Sequence, residues 1–246
     1  MKSFFKIILQ YYLKYITKLV LFIHQPIVIA VAGSTNKTFA RDEIKKILLA
    51  SGKSVRANPR NFNTEIGLPL AILNIRSGYN SYRDWLPVIA AAFAAIFQKN
   101  FPEYLVLELG VSRRGDMKYL LSIVNPKISV ITDITQRYLE AFSDMDGLVG
   151  EYAYLVKNTK KDGVVILNYD NFRVRVLSEK AKARVEYFGK GAGAVWKISE
   201  ITKTEKGQMI KVEHQNKIQN YSSARFGEHH AYALTAALAA EEALEK

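Results

Sequence analysis

The sequence predicts an α/β fold: a doubly wound, mostly parallel sheet with a P-loop-type turn after its first strand and a small antiparallel extension. Three observations carry that prediction. Pro26–Phe39, PIVIAVAGSTNKTF, is an apolar, β-branched run that breaks on Gly33, crosses a short polar loop and delivers a Lys37-Thr38 pair. Further near-continuous apolar runs end in polar residues, at Glu108, Asp133 and Asn168, as strands buried on both faces do. Helical patterns lie between these runs, and strand-helix-strand-helix order is that of parallel βαβ units.

After Thr38 the pattern ARDEIKKILLA places Ile44, Ile47 and Leu48 on one helical face. Strand, loop, Lys-Thr and helix together make a phosphate cradle. Backbone N–H groups at the helix start point at the anion, the lysine neutralises outer phosphates and the threonine hydroxyl reaches Mg²⁺. Gly33, Ser34, Thr35, Asn36, Lys37 and Thr38 are therefore candidate phosphate contacts. Asn36 stands where a standard loop has glycine, and asparagine is the next most tolerant residue for a left-handed backbone. On the loop alone, a phosphate site and a plain βα turn with a helix cap stand level.

Composition narrows the classes. The 246 residues, 49% hydrophobic, suffice for one large domain with a substantial core. The absence of cysteine excludes disulfide scaffolds and thiolate metal sites, and four scattered histidines make no histidine cage. A net charge of +12 points to an anionic partner. No helix-turn-helix or RNA-binding signature accompanies it, so specific nucleic-acid binding is not expected.

Residues 1–25 are read as a basic amphipathic helix preceding a single domain over 26–246. Lys6, Gln10, Lys14, Thr17 and Lys18 form a narrow polar stripe among Phe, Ile, Leu, Tyr and Val. No apolar run approaches the ~20 residues needed to span a bilayer, and there is no small-residue cleavage site. Two readings stay open: a helix in the cytoplasmic-leaflet interface, or a helix packed across the domain or on a partner protein.

Lys53–Arg56 reads as a short strand, and Leu68–Leu73 as a helix after the amide-rich turn of Asn61, Asn63 and Thr64, which suits a ligand-facing edge and equally ordinary cap chemistry. Trp85–Phe97, WLPVIAAAFAAIF, reads as a helix buried on more than one face. Glu103–Gly110 is a buried strand, and its Glu108 reads either as the metal-supporting carboxylate that α/β enzymes place at this edge or as a solvated strand end. A helix over 115–126, a strand over 127–134, a helix around 148–156 and a strand over 162–171 continue the alternation. The segments 184–188, 194–201 and 208–214 alternate as strands, with a turn at Lys206-Gly207, and an alanine-rich helix closes the chain from Glu228.

VIAVAGSTNKT (28–38), NFNTEIGLPLAIL (61–73), VLELGVSRRGDM (106–117), VITDITQRYLEAF (130–142), DGVVILNYDN (162–171) and FGEHHAYALTAALAA (226–240) together resemble the central ATP-binding domain of the Mur ligases. The branch that adds D-alanyl-D-alanine is the most similar. The resemblance implies ATP on the loop and a Mg²⁺ held by Thr38 and Glu108. It also implies transfer of the γ-phosphate to a substrate carboxylate and attack of an amine on the acyl phosphate. Lys37 and Glu108 would be the catalytic residues, with Asn168 and His229 as further nucleotide contacts. A UDP-muramoyl-peptide-like substrate would meet Asn61, Asn63 and Thr64, in the cytoplasm or peripherally at the inner membrane face.

The same likeness exposes departures. The family asparagine of VITNI is Asp133, the histidine of its EAH segment falls at Tyr138, and the lysine that is usually carbamylated falls near Tyr152. Glu151 is the candidate carboxylate ligand in that lysine's place. The asparagine associated with adenine falls at Ala233. The sugar-nucleotide domain that normally precedes this one and the amine-substrate domain that follows are not expected here. The alternative is a non-catalytic scaffold or regulatory relative working through a partner or a membrane surface.

Overall fold

A computed structural model describes residues 3–59, 61–79, 82–136, 142 and 144–245. Tyr138 lies outside the described residues. The chain runs α1 (Ser3–His24), β1 (Ile27–Ala32), α2 (Lys37–Ala50), β2 (Val55–Ala57), α3 (Gly67–Leu73), α4 (Tyr82–Ala94) with a 3₁₀ turn Ala95–Phe97, and β3 (Tyr104–Glu108). Next come α5 (Asp116–Leu121), β4 (Ile128–Ile131), α6 (Met145–Asn158), β5 (Val164–Asn168), α7 (Phe172–Arg175) and a 3₁₀ turn Val176–Lys180. The last part is β6 (Arg184–Gly189), β7 (Trp196–Thr204), β8 (Gly207–His214), β9 (Lys217–Ser223) and α8 (Glu228–Glu242).

The strands form one nine-stranded sheet in the order β2-β3-β1-β4-β5-β6-β7-β8-β9. Pairing is parallel from β2 through β7, with Ile29 opposite both Val106 and Ile128. It is antiparallel in the β7-β8-β9 meander. The strand order reverses at β1, which lies between β3 and β4. The loop after β1 therefore opens into the crevice where ligands gather in such sheets.

Alternation along β1 builds two cores. Val28, Ala30 and Ala32 face α3, α5 and α6 on one side, among Leu68, Met117 and Leu148. Ile29 and Val31 face α2 and α8 on the other, among Ile44, Ala236 and Ala240. The alanines of α8 let its backbone lie close to α2 and the sheet, which fixes the helix that carries Lys37 and Thr38.

A third layer joins α1, α3 and α4 through Leu9, Leu13, Leu70, Trp85 and Val88. Each such side chain taken from water contributes about 1.5–3 kcal/mol. Helix α1 thus packs across the domain on its Leu9-Leu13-Val20 face, and Thr17 of the expected polar stripe is fully buried there. The expectation that Trp85–Phe97 is buried on several faces is overturned. Trp85, Val88 and Ala92 face α1, while Leu86, Phe93 and Phe97 face solvent. Helix α5 ends at Leu121, well short of the expected 126, and the tail gains a strand, β9, that the alternation did not reveal.

Candidate functional site

The loop after β1 is held by β4. Gly33 has φ 142°, and a side chain there would run into Thr132 Oγ1 and the Asp133 backbone, so only glycine fits the approach. Asp133 O accepts from Ser34 N at 2.6 Å, and Thr132 Oγ1 donates to Thr35 O at 2.6 Å. Asn36 is left-handed at φ 63°, ψ 0°, a backbone region open to glycine and tolerated by asparagine. Its Nδ2 donates to Asp133 Oδ2 at 3.0 Å, and Thr35 Oγ1 donates to the same oxygen at 3.3 Å. Asparagine at this position thus combines a tolerated left-handed backbone with a side-chain anchor on Asp133.

Lys37 opens α2, is buried, and donates from Nζ to Gly33 O at 2.7 Å. Thr38 Oγ1 donates to Glu108 Oε2 at 2.9 Å. Glu108, also buried, is held on every side: Asn63 Nδ2 donates to Oε1 at 3.0 Å, and Arg41 Nη1 lies 3.4 Å from Oε2. Asn58 clamps its backbone, giving Nδ2 to Glu108 O at 2.9 Å and taking Glu108 N on Oδ1 at 2.8 Å. Two of these partners, Arg41 and Asn58, are absent from the sequence expectations. Arg41 follows Thr38 by three residues, so helical spacing puts it on the same side of α2.

Two clefts flank the loop and share Asn36 and His229. One, about 680 Å³, is lined by Thr35, Thr38, Phe39, Asn61 and Glu108. The other, about 390 Å³, is lined by Asp133, Asn168, Asp170, Asn171, Glu228 and Tyr232. Asn168 Nδ2 donates to Asp133 Oδ1 at 3.1 Å, and Tyr232 donates its hydroxyl to Asp170 Oδ2 at 2.7 Å. Burial raises the Asp133 pKa above the ordinary 3.8, against the hydrogen bonds from Asn36, Thr35 and Asn168 that lower it. Burial, then the Asp170 bond, pushes the Tyr232 phenol well above its usual range. The His229 ring packs on Phe39 at 4.8 Å and on His230 at 4.2 Å, and His230 is held low by burial and by His229.

A third cleft, about 670 Å³, adjoins the first across the Asn61–Thr64 turn. Thr64, Ser112, Arg113 and Arg114 line it together with Lys6 and Gln10 of α1. Lys6 Nζ lies 3.1 Å from Glu65. So the structure gathers Thr35, Asn36, Thr38, Glu108, Asn61 and His229 around one cleft, leaves Gly33, Ser34 and Lys37 buried in the loop itself, puts Asn168 in the second cleft and Thr64 in the third, and gives Asn63 the work of holding Glu108.

Glu151 is placed apart from this cluster. Its two oxygens accept from Gly115 N and Met117 N, each at 2.7 Å, at the start of α5. Tyr152 and Ala233 are core residues. The hydroxyl of Thr38 and the carboxylate of Glu108 form a hard-oxygen pair that suits Mg²⁺. Among the described residues no three His, Cys, Asp or Glu side chains cluster to hold a metal. Any Mg²⁺ at this pair therefore needs phosphate and water oxygens to complete its shell.

Comparison with known proteins agrees with this architecture. The Mur ligase middle domain family model matches residues 87–241. The UDP-N-acetylmuramoyl-tripeptide–D-alanyl-D-alanine ligase of Bacillus subtilis (strain 168) is 25% identical over 186 residues, 76% of this chain and 35% of that one. The structure of MurF from Acinetobacter baumannii superposes with a TM-score of 0.76 at 22% identity, over 97% of this chain and 46% of that one. The MurF ligase of Thermotoga maritima, in complex with ADP, gives 0.76 at 22% identity, over 95% and 49%. This chain thus spans about a third of the curated relative's length and about half of the solved chains. With more than half of its residues matched by that one model, the chain belongs to the Mur ligase middle domain family.

Proposed function

We propose that the chain is the ATP-binding unit of a Mur-type amide ligase in peptidoglycan precursor synthesis. The observation that supports this reading is the Thr38–Glu108 hydrogen bond beside buried Lys37, on the loop between β1 and α2. ATP would lie across the loop, its phosphates toward Lys37 and Thr38 and its nucleoside toward Asn168, His229 and Tyr232. Thr38 and Glu108 would hold Mg²⁺. Bound there, Mg-ATP supplies the phosphoryl group that activates a carboxylate as an acyl phosphate for attack by an amine.

The chain's own contribution is positioning and charge. Lys37 would exchange its bond to Gly33 O for phosphate oxygens. Arg113, Arg114 and Lys6 would draw an anionic, UDP-muramoyl-peptide-like substrate into the third cleft. From there its carboxylate reaches past Asn61 and Thr64 toward the phosphates. The cytoplasm, where ATP and such precursors meet, is the compartment this reading requires.

A second reading, a non-catalytic scaffold or regulatory relative, is favoured by one observation: Arg41 already sets a positive charge beside the Glu108 carboxylate. Titration calorimetry of Mg-ATP against the chain and Lys37→Ala tests the first reading. Micromolar binding that weakens by about 100-fold in the variant is expected, as for loss of a charge-assisted phosphate contact. No binding at millimolar ATP would overturn it. Binding without phosphate release in the presence of a muramoyl-peptide acceptor and an amine would favour the second reading.

A further inference from the structure

We propose that the outward face of α1 and α4 is a docking surface for an anionic lipid bilayer, lying in the interface without crossing it. Helix α1 gives one face to the domain through Leu9, Leu13 and Val20 and leaves the other bare. On that bare face Phe4 is 75% exposed, Tyr15 62% and Phe22 75%, three residues at helical spacing. Beside it, held by the Tyr12 hydroxyl on Ile89 O at 2.9 Å, α4 and its 3₁₀ turn expose Leu86 (68%), Phe93 (55%) and Phe97 (71%). No charged residue occurs from Trp85 to Gln98. Two neighbouring helices thus each turn apolar and aromatic side chains outward, more than singly scattered exposed residues account for.

Charge selects the occupant. The chain has no acidic residue before Asp42, and exposed Lys18 stands within the bare face of α1, whereas Lys14 turns toward the domain with Nζ 4.9 Å from the Tyr119 ring. A second copy docked face to face would bring the two Lys18 side chains onto one surface with no acid on α1 to pair them, which opposes a two-fold contact. An anionic headgroup layer satisfies both features: Lys18 meets phosphates while Phe, Leu and Tyr enter the headgroup–acyl boundary, where tyrosine is favoured. No described helix is long and apolar enough to cross a membrane, so the contact is peripheral. Lys6 and Gln10 carry the same helix into the wall of the third cleft, so docking would hold that cleft near the membrane surface.

The test is flotation of the purified 246-residue chain with vesicles of phosphatidylglycerol and phosphatidylcholine, or of phosphatidylcholine alone. Partitioning onto anionic vesicles is expected to exceed that onto neutral ones by about tenfold, and to drop by about tenfold in Phe22→Glu/Phe93→Glu with an unchanged thermal melt. Phe22→Ser/Phe97→Ser, milder at exposed positions, serves if the first variant fails to fold. Binding that the variants leave intact would overturn the proposal in favour of charge alone. Failure to float would overturn it too, whether the chain is a monomer or a dimer that the variants dissociate. No nucleotide enters the assay, so its outcome is independent of the ATP-binding reading.

Discussion

Thr38, in the first turn of α2, donates its hydroxyl at 2.9 Å to Glu108, the last residue of β3 and 70 positions along the chain. The carboxylate so fixed is also the buried partner of Arg41. Glu108→Ala leaves that guanidinium without its strand-side partner, and breaking a buried pair costs about 3–5 kcal/mol. Arg41 keeps Asp42 at 2.7 Å, which puts the expected loss at the lower end. Urea unfolding of Glu108→Ala should show it, and Arg41→Met in the same chain should recover most of it. A double variant as unstable as the single one would mean that the two residues are not coupled.

Asn36 makes a second, local prediction. Its backbone is left-handed, and its amide ties the loop to Asp133. Asn36→Gly keeps the conformation without strain and loses one hydrogen bond, so thermal unfolding should register a change of about 1 kcal/mol or less. Asn36→Ala loses the bond and meets the left-handed penalty, for about 2 kcal/mol in total. Equal melts for the two variants would remove the conformational argument.

What the sequence makes legible follows from burial. Strands β1, β3, β4 and β5 lie between two helical layers, so nearly every residue is apolar and the run is plain. Strand β9, KIQNYSS, pairs only with β8 and is largely exposed, so hydrophobicity does not mark it. The charge-free segment of α4 reads as buried because composition does not say that one side lacks a neighbour. In the site, Gly33–Thr38 and Glu108 are legible because turn chemistry and a lone acid at a strand end are local signals. Arg41 looks like any solvated helix charge until α2 is docked beside β3. Asn58 reaches Glu108 across 50 residues, a contact with no local signature.

Asp133 sets a pH dependence. Burial holds its folded pKa above the ordinary 3.8, so the folded state binds the proton more tightly than the unfolded chain. The stability this contributes is fully present below 3.8 and is lost as pH rises through the raised folded value. Asp133→Asn removes that loss, so its stability relative to the parent chain should climb over this rise toward neutral pH. Denaturant midpoints between about pH 3.5 and 7.5 give the comparison, and parallel curves for the two chains would contradict it.

Glu151 separates a structural carboxylate from a metal-holding one. Each of its oxygens accepts a backbone N–H at 2.7 Å, from Gly115 and Met117, where α5 begins. Bonds of this kind to a charged acceptor contribute about 1.5–3 kcal/mol each, so Glu151→Ala should destabilise the chain by about that much or more. Glu151→Gln keeps one good acceptor, and its amide group then faces a donor, so it should fall between parent and alanine variant. Because both oxygens are engaged away from Thr38 and Glu108, the Mg²⁺ concentration that supports ATP binding should stay where it is in the parent chain. Calorimetric ATP titrations across a Mg²⁺ series, run beside thermal melts, read the two effects separately. A shifted Mg²⁺ requirement with an unchanged melt would return Glu151 to the metal site, and a lower melt with an unchanged requirement would fix it as the anchor of α5.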